Sequence, residues 1–341
     1  MALLILESFE GLDDPADKYT IESSTRAIID NTIYRTGSQS LECDQNYWFM
    51  LCDLAATIDT GVLGFAMRIK GIGSTGYGNF LMFYNGGTEQ FTIELSVSGI
   101  MYVERGSTFI AQARRAFIED KWYYIEVKFN AVNSIGADTF IIKVDGEEWI
   151  NLPATTDCQG AGSSGVDRIY FQGACSDHHF DDVYLLDLTG AAPNNDFLGD
   201  IQVLLLDPDG NGNSSDFVGI DVDSTDNFLH VDETIPDGDT SYVESSTAGH
   251  KDLYTFEDLP ATPNTIFAVQ TTAYQNKDDS GARTGKLITR VSSTDYEGSA
   301  FSPVEATYGF VTEIWALNPN DSLAWEEADV NGAEFGIKVE S

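Results

Sequence analysis

The sequence predicts an all-β protein, in which an antiparallel β-sandwich (jelly roll) is followed by a second, smaller β-rich domain with one short helix. Apolar and polar residues alternate in several runs between Lys121 and Asp187, which is the period of a half-buried strand. Glycine- and asparagine-rich turns separate short strand-like runs through the rest of the first half, without helical periodicity. Many short strands joined by such turns are typical of sandwiches and barrels.

The strongest strand signals follow one another in a fixed order. Residues 122–129 alternate so that aromatic and aliphatic side chains share one face. The run 140–149 contains Asp145-Gly146, which predicts a two-residue hairpin, because a type I′ turn needs positive φ at both central residues. The block continues with two further strand-like runs, 167–171 and 180–187.

Two pairs of adjacent carboxylates occur in this block, Glu147-Glu148 and Asp181-Asp182. Neighbouring side chains on a strand point to opposite faces, so we expect at most one member of the Asp181-Asp182 pair on the buried side. Each pair is therefore predicted to be divided between faces and to form no single site.

Five segments of the first half occur in the order found in a known family of sandwich domains. They are Tyr34 to Leu41, the strand at Trp122, the hairpin Val144-Asp145-Gly146, Ile169-Tyr170-Phe171 and Phe180 to Tyr184. With these segments, about residues 1–190 resemble the laminin-G/concanavalin A-like jelly roll. The resemblance implies an antiparallel sandwich of a kind that binds, coats or assembles more often than it cleaves. It implies no particular ligand.

The second half is predicted to be a separate domain. We place the jelly roll at 1–190, a turn-rich linker at 191–196 and an acidic β-rich assembly domain at 197–341. A short helix is expected at 323–328, introduced by Asp321 or Ser322 as N-cap. Strands are expected at 197–206, 265–275, 283–292, 308–317 and 334–340, the second paired with the third.

Four segments occur in order near and after the predicted linker, namely Asn195 to Asp200, His250 to Tyr254, Lys277 to Gly281 and Trp325 to Gly336. They are similar to a C-terminal module that follows the lectin-like domain in virion proteins of tailed bacteriophages. The resemblance implies a virion structural protein (fibre, tail or decoration component) that displays the lectin-like module, with adhesion to a host-surface glycan as its use. The expected partners are other virion proteins and further copies of the chain, for example in a trimer, within a virion assembled in the host cytoplasm.

The composition excludes two classes of partner. A formal charge of −37 over 341 residues repels nucleic acid and anionic membranes, so we expect neither as a partner. The sequence predicts no membrane insertion. The apolar opening 1–6 lacks a basic region and is too short for a signal peptide, so we expect the first strand there and no export by the general secretory route.

The four cysteines fall as two local pairs, Cys43/Cys52 and Cys158/Cys175. Two local disulfides would fit if each pair flanked a hairpin. Without a signal peptide, reduced and mostly buried thiols are the expectation.

Two segments contain residue types that bind metal ions. Asp207 to Asn213 fits the first half of a calcium loop, but Val218 occupies the twelfth position, where a bidentate glutamate is needed, so a turn is expected. His178 and His179 follow Asp177 at the entrance of a strand, where a surface loop is expected. The sequence therefore predicts no metal ligands and no cofactor.

Catalytic signatures are missing from the sequence. Laminarinase-like jelly rolls have Glu-x-Asp-x-(x)-Glu on one strand, and this motif does not occur in residues 1–190; nor does Gly-x-Ser-x-Gly occur. The sequence therefore predicts no enzyme and no catalytic residue. Two alternatives remain open, a glycan depolymerase of the virion and a purely structural capsid or tail decoration protein without glycan binding.

Several aromatic residues near predicted loops are available for stacking on sugar rings. They are Tyr77, Tyr84, Tyr102 and Trp149. Nothing in the sequence groups them, so no sugar site is predicted from them.

Overall fold

A computed structural model describes residues 3–21, 27–44, 48–71, 77–106, 108–131, 140–153, 156–160, 164–174 and 176–341, with the backbone alone for 48–52 and 55. The chain divides into two compact units, Met1–Leu204 and Leu205–Ser341. This division falls later in the chain than the predicted linker at 191–196.

In the described ranges of the first unit, the secondary structure consists of strands and one 3-10 turn, at Pro15–Asp17. Its strands, in chain order, are β1 (Leu3–Glu7), β2 (Ala27–Asp30), β3 (Ser40–Cys43), β4 (Trp48–Ile58), β5 (Thr60–Ile69), β6 (Tyr77–Asn85), β7 (Thr88–Ser96), β8 (Ile100–Arg105), β9 (Thr108–Ala116), β10 (Trp122–Asn130), β11 (Phe140–Val144), β12 (Glu147–Leu152), β13 (Val166–Gln172) and β14 (His178–Leu186).

These strands form two antiparallel sheets. An eight-stranded sheet has the order β12-β11-β10-β5-β14-β3-β2, with β1 also paired to β14, and a six-stranded sheet has the order β4-β13-β6-β7-β8-β9. Asp145 and Gly146 have φ of 50° and 78° between β11 and β12, so the predicted hairpin is confirmed. The predicted all-β sandwich is confirmed as well.

Aromatic rings from both sheets meet in the core. The Phe65 ring of β5 lies 5.1 Å from the Phe171 ring of β13, and the Phe129 ring of β10 lies 5.2 Å from the Phe83 ring of β6. All four side chains are buried. Each buried aromatic ring stabilises the fold by roughly 1.5–3 kcal/mol, so these contacts between sheets account for the layered packing.

A β-bulge in β14 brings two adjacent carboxylates to the same side of the sheet. Asp182 has a φ of 50°, and the register with β5 shifts after Asp181. Asp181 Oδ2 accepts hydrogen bonds from the backbone N–H groups of Arg35 (2.8 Å) and Thr36 (3.1 Å). Asp182 Oδ2 accepts one from the Thr36 hydroxyl (2.9 Å) and pairs with the Arg35 guanidinium.

Both carboxylates are fully buried, so the expectation that at most one of Asp181 and Asp182 lies on the buried side is wrong. The positive φ turns the second residue back towards the side of the first. Burial and the charge of Asp182 raise the pKa of Asp181, and backbone N–H groups, including those of Arg35 and Thr36, oppose that rise.

Residues 194–204, which we call the covering segment, lie along the outer side of the eight-stranded sheet. The backbone N–H of Gly199 donates to Glu126 Oε1 (2.8 Å), and the N–H of Val203 donates to Asp182 Oδ1 (2.8 Å). The covering segment therefore gives two buried carboxylates the hydrogen bonds that their burial requires.

Side chains hold the covering segment from both directions. The Arg35 guanidinium donates to the carbonyl oxygen of Ile201 (2.9 Å) and pairs with Asp200. Earlier in the covering segment, the Phe197 ring has its centre 3.9 Å from the Lys143 ammonium, within the range of a cation–π contact.

The covering segment buries the side of the sheet that faces away from the sandwich core. Tyr124, Glu126 and Tyr184 point to that side and are nearly or fully buried. Residues 197–206, predicted as the first strand of the second domain, form no strand. The backbone of this segment binds side chains of the sheet instead of a neighbouring strand, and apolar residues alone cannot distinguish these two uses.

The second unit is also mainly β. Its elements are β15 (Pro208–Ser215), β16 (Val218–Gly219), β17 (Val243–Glu244), β18 (Lys251–Phe256), β19 (Val269–Gln275), β20 (Gly285–Val291), β21 (Thr294–Phe301), β22 (Gly309–Trp315), α1 (Glu327–Asn331) and β23 (Glu334–Val339), with 3-10 turns at Asn227–His230 and Gly238–Thr240.

The strands of the second unit pair differently from the prediction. A five-stranded sheet has the order β15-β18-β23-β20-β21, and β19 pairs with β22 in a separate two-stranded sheet. The predicted pairing of 265–275 with 283–292 is therefore wrong. The partner of β19 is distant in sequence, and β20 pairs with β21, which follows it directly, and with β23, whereas the prediction used only the turn between the two predicted strands.

The short helix begins later than predicted. It spans Glu327–Asn331, and Glu326 is its N-cap, with a reciprocal capping box to Asp329. Asp321 and Ser322 are therefore not the cap. Among the described residues, no helix is long and apolar enough to cross a membrane.

Residues 3–6 and one cysteine agree with the sequence analysis. Leu3–Glu7 forms β1, as expected of the apolar opening. Cys43 is a free, buried thiol, and burial raises its pKa. Cys158 is buried, and the side chain of Cys52 and residue Cys175 lie outside the described residues.

Gly64 provides a test of the packing under the covering segment. A Cβ at this position would overlap the Tyr184 ring, whose hydroxyl accepts a hydrogen bond from the N–H of Leu198 (3.2 Å). We expect Gly64→Ala to destabilise the first unit by about 1–3 kcal/mol, because the ring must move. Urea unfolding followed by fluorescence measures the change.

Gly87→Ala is the matched control, since nothing lies within 4 Å of the added Cβ. It should change stability by less than about 0.5 kcal/mol. Equal unfolding midpoints for the two variants would contradict the described packing of Tyr184.

Candidate functional site

The outer face of the six-stranded sheet contains the candidate site. Leu81 of β6, Ile93 of β7 and Val103 of β8 lie opposite one another and are fully buried in the sandwich core. Side chains alternate along each strand, so the residues between these positions point away from the core.

Two parallel rows of side chains cross this outer face. In chain order of strands β6 to β9, the first row consists of Asn79, Glu94, Tyr102 and Gln112. The second row runs from β13 to β8 and consists of Tyr170, Met82, Thr92 and Glu104. The register therefore places Glu94 beside Tyr102, with Glu104 and Tyr170 in the neighbouring row of the same face.

Three aromatic rings form an exposed group at one side of the face. The Tyr77 and Tyr102 rings are 5.0 Å apart and perpendicular, at 89°, and the Phe109 ring lies 6.2 Å from Tyr102. Tyr77 is 63% exposed and Phe109 is 54% exposed. Such rings offer apolar surface to a ligand.

A second aromatic pair lies further along the sheet. The Tyr84 and Tyr170 rings meet at 5.4 Å and 84°, and both pack on Met82. A bulge at Gln90 brings Glu89 opposite Tyr84, whose hydroxyl donates to Glu89 Oε2 at 3.2 Å. We call this surface the tyrosine–glutamate face and define it by Tyr77, Tyr84, Tyr102, Phe109, Tyr170, Glu89, Glu94 and Glu104.

The three glutamates interact electrostatically. Burial and the charges of Glu104 and Glu89 raise the pKa of Glu94. Burial, together with Glu104, also raises the pKa of Glu89, against the hydrogen bond from Tyr84. Half-buried carboxylates that share one face are strong hydrogen-bond acceptors for hydroxyl groups.

Two neighbouring polar groups complete the face. Asn79 Oδ1 is buried and accepts no hydrogen bond within the described ranges. The Arg168 guanidinium, opposite Tyr84 in the register, lies 3.6 Å from Asp53 Oδ1. The face therefore combines aromatic surface, acceptors and one cation, a combination suited to a ligand with many hydroxyl groups.

The structure brings together three of the four aromatic residues considered for sugar stacking. Tyr77, Tyr84 and Tyr102 belong to the tyrosine–glutamate face. Trp149 does not, since its ring packs on Phe117 at 4.8 Å. Sequence analysis missed the glutamates, although Glu94 and Glu104 occupy outward positions of predicted short strands, where polar alternation is the available signal.

The expected surface loop at His178 and His179 is wrong. Both residues belong to β14 and are fully buried. Strand β14 begins at His178, before the apolar run from which the strand was predicted. Because both histidines are polar, the sequence pattern did not indicate that they belong to this strand.

The segment Asp207 to Asn213 forms neither the expected turn nor a calcium loop. Pro208–Ser215 is strand β15, paired with β18. Asp209 accepts from the Thr255 hydroxyl (2.7 Å), and Asn211 accepts from the N–H of Phe228 (3.0 Å), so these two side chains have separate partners.

No family model and no curated protein matches the chain. Similar solved structures include Trypanosoma rangeli sialidase in complex with sialic acid, with 13% identity, 47% of this chain and 27% of that chain covered, and a TM-score of 0.34. An alginate lyase matches with 10% identity, 45% and 82% coverage and a TM-score of 0.29. A Caenorhabditis elegans galectin matches with 14% identity, 42% and 94% coverage and a TM-score of 0.29. The match thus spans about a quarter of the sialidase.

The sequence-based prediction that the chain is not an enzyme is contradicted by these comparisons, because the sialidase and the alginate lyase are enzymes. The prediction relied on a carboxylate motif within one strand. In this sheet, carboxylates from different strands share a face, and such a motif cannot detect them. The bacteriophage context and the laminin-G family remain predictions.

The coupling between the glutamates can be measured directly. We expect Glu104→Gln to lower the pKa of Glu94, because the variant removes a like charge that disfavours ionisation. A carbon-detected NMR titration of the glutamate carboxyl groups reports this pKa.

Glu148→Gln is the control, because Glu148 is exposed on β12 of the other sheet. It should leave the titration of Glu94 unchanged. An unchanged Glu94 titration in Glu104→Gln would show that the two carboxylates do not share a face.

Proposed function

We propose that the first unit binds a carbohydrate on the tyrosine–glutamate face. The observation that supports this most strongly is the exposed group of Tyr77, Tyr102 and Phe109 beside the half-buried Glu94. The apolar C–H face of a sugar ring packs on aromatic rings, and its hydroxyl groups need acceptors at the rim. Both requirements occur together on this sheet.

The charge of the face restricts the kind of carbohydrate. The charge of Glu104 raises the pKa of both Glu89 and Glu94, so a further anion at this face would add to the cost of ionising these two glutamates. We therefore propose a neutral glycan, whose hydroxyl groups donate to the carboxylates. An acidic glycan would be repelled by the face and by the net charge of −37.

The setting that we propose is a bacteriophage particle. It is supported by the resemblance of the segments from Asn195 to Gly336 to a module of virion proteins. In this setting the chain is a fibre, tail or decoration component that contacts other virion proteins and further copies of itself. Weak glycan contacts then gain strength because many copies act together at a raised effective concentration.

Cleavage of the bound glycan is a second candidate function. Glu94 and Glu104 are diagonal neighbours across β7 and β8, which places their α-carbons roughly 7–8 Å apart. Inverting glycosidases hold their two carboxyl groups roughly 6.5–9.5 Å apart, a separation that glutamate side chains on α-carbons this close can adopt. The raised pKa of Glu94 is the property required of a general acid.

Tyr77→Ala tests carbohydrate binding. A glycan array identifies a ligand, and calorimetry then compares the variants with the unaltered chain. We expect Tyr77→Ala to weaken binding about tenfold, because a ring contact contributes about 0.5–1.5 kcal/mol and tenfold corresponds to about 1.4 kcal/mol.

Tyr34→Ala is the matched control, since Tyr34 is 44% exposed in the same unit and lies outside the face. It should bind as the unaltered chain does. Absence of binding to any glycan, or equal weakening by both variants, would contradict the proposal. New reducing ends that Glu94→Gln abolishes while keeping binding would support the cleaving function.

The virion setting has its own test. Light scattering should give the mass of two or more copies of the 37.3 kDa chain. Mass spectrometry and immunogold labelling should detect the chain in purified particles. A chain found only as a free monomer outside particles would contradict this setting. That outcome would leave the binding experiment unaffected.

A further inference from the structure

Three donor atoms converge on the outer side of the eight-stranded sheet, on β2, β3 and β14. His179 Nε2 lies 2.9 Å from Asp30 Oδ2 and 3.7 Å from Glu42 Oε2, and the three atoms are within 4.8 Å of one another. His179 is fully buried, whereas the side chains of Asp30 and Glu42 are 12% and 14% exposed. The cluster is therefore open to solvent on its carboxylate side.

We propose that Asp30, Glu42 and His179 bind a divalent transition-metal ion such as Zn²⁺ or Mn²⁺. One imidazole nitrogen and two carboxylate oxygens are donors that such ions accept, whereas Ca²⁺ and Mg²⁺ prefer oxygen donors alone. Ligand atoms of a tetrahedral zinc site stand roughly 3.4 Å apart, given bonds of about 2.0–2.2 Å. The observed separations of 2.9 and 3.7 Å lie on either side of that value.

The outer hydrogen bonds orient both carboxylates towards the same point. Thr32 donates to Asp30 Oδ1 from its backbone N–H (2.7 Å) and from its hydroxyl (2.6 Å). Lys70 Nζ donates to Glu42 Oε1 at 3.2 Å. In each carboxylate, the oxygen left over is the one that faces His179, which is the arrangement of outer partners that orient metal ligands.

The charges around the cluster leave room for an ion. Two carboxylates face His179; of the nearby cations, Lys70 is shared between Glu42 (3.2 Å) and Asp177 (3.4 Å), and Arg68 Nη2 donates to Asp120 at 2.7 Å. A divalent ion would neutralise the two carboxylates. Without a metal ion, His179 Nε2 can donate a hydrogen bond to Asp30. A nitrogen that carries a proton cannot also bind a metal ion, so the two uses exclude each other.

The experiment uses the full chain after treatment with EDTA. Calorimetry with ZnCl₂ and MnCl₂ should give one tight site per chain, and Co²⁺ should give visible d–d absorption when bound there. Asp30→Asn and Glu42→Gln keep the side-chain shape and should each weaken Zn²⁺ binding at least tenfold. His230→Gln is the matched control, because His230 Nε2 also lies 3.4 Å from a carboxylate, that of Asp221.

The proposal is independent of carbohydrate binding and is overturned by a definite result. Weak uptake of several ions per chain, equal in the unaltered chain, Asp30→Asn and Glu42→Gln, would show only attraction to the acidic surface. Loss of binding in His230→Gln alone would place the ion elsewhere. Circular dichroism of each variant shows that it is folded, and the two carboxylate variants must agree.

Discussion

Arg35 contacts three parts of the first unit at once. Its guanidinium pairs with Asp182 in β14, reaches Asp200 and the carbonyl oxygen of Ile201 in the covering segment, and lies 5.2 Å from the centre of the Tyr124 ring of β10. Removing one partner from such a buried pair costs about 3–5 kcal/mol, because the other charge stays buried. The positive φ of Asp182 makes the arrangement possible, since it turns that carboxylate towards Arg35. The outer side of the eight-stranded sheet is thereby covered around Tyr124 and Tyr184, whereas the exposed rings of Tyr77 and Phe109 lie on the other sheet.

This division between the sheets explains where binding is proposed. On one sheet, buried carboxylates receive hydrogen bonds from the chain itself, as Glu126 does from Gly199. On the other, Glu94 and Glu104 share an outward face with Tyr102 and are only half buried. The carboxylates under the covering segment are therefore structural, whereas Glu94 and Glu104 are available to a ligand. The Asp30, Glu42 and His179 cluster is an intermediate case, because its imidazole is buried and its carboxylates reach solvent.

Local patterns in the sequence were sufficient for the fold class and for the Asp145-Gly146 hairpin, since alternation and turn chemistry act over a few residues. They were not sufficient for the Asp181-Asp182 pair, because the partners of these carboxylates, Arg35 and Thr36, are distant in sequence. The same limit applies to β19, whose partner β22 is distant in sequence. The tyrosine–glutamate face depends on register between strands, so single-strand motifs could not detect it.

The central claim is that the outer face of the six-stranded sheet binds a carbohydrate. The measurement that tests it most directly is a crystal structure of the chain with the oligosaccharide that it binds most tightly. Our account predicts density for a sugar ring against Tyr77 and Tyr102, with hydroxyl groups hydrogen-bonded to Glu94 or Glu104. Density for the ligand on any other surface, with the tyrosine–glutamate face free, would contradict it.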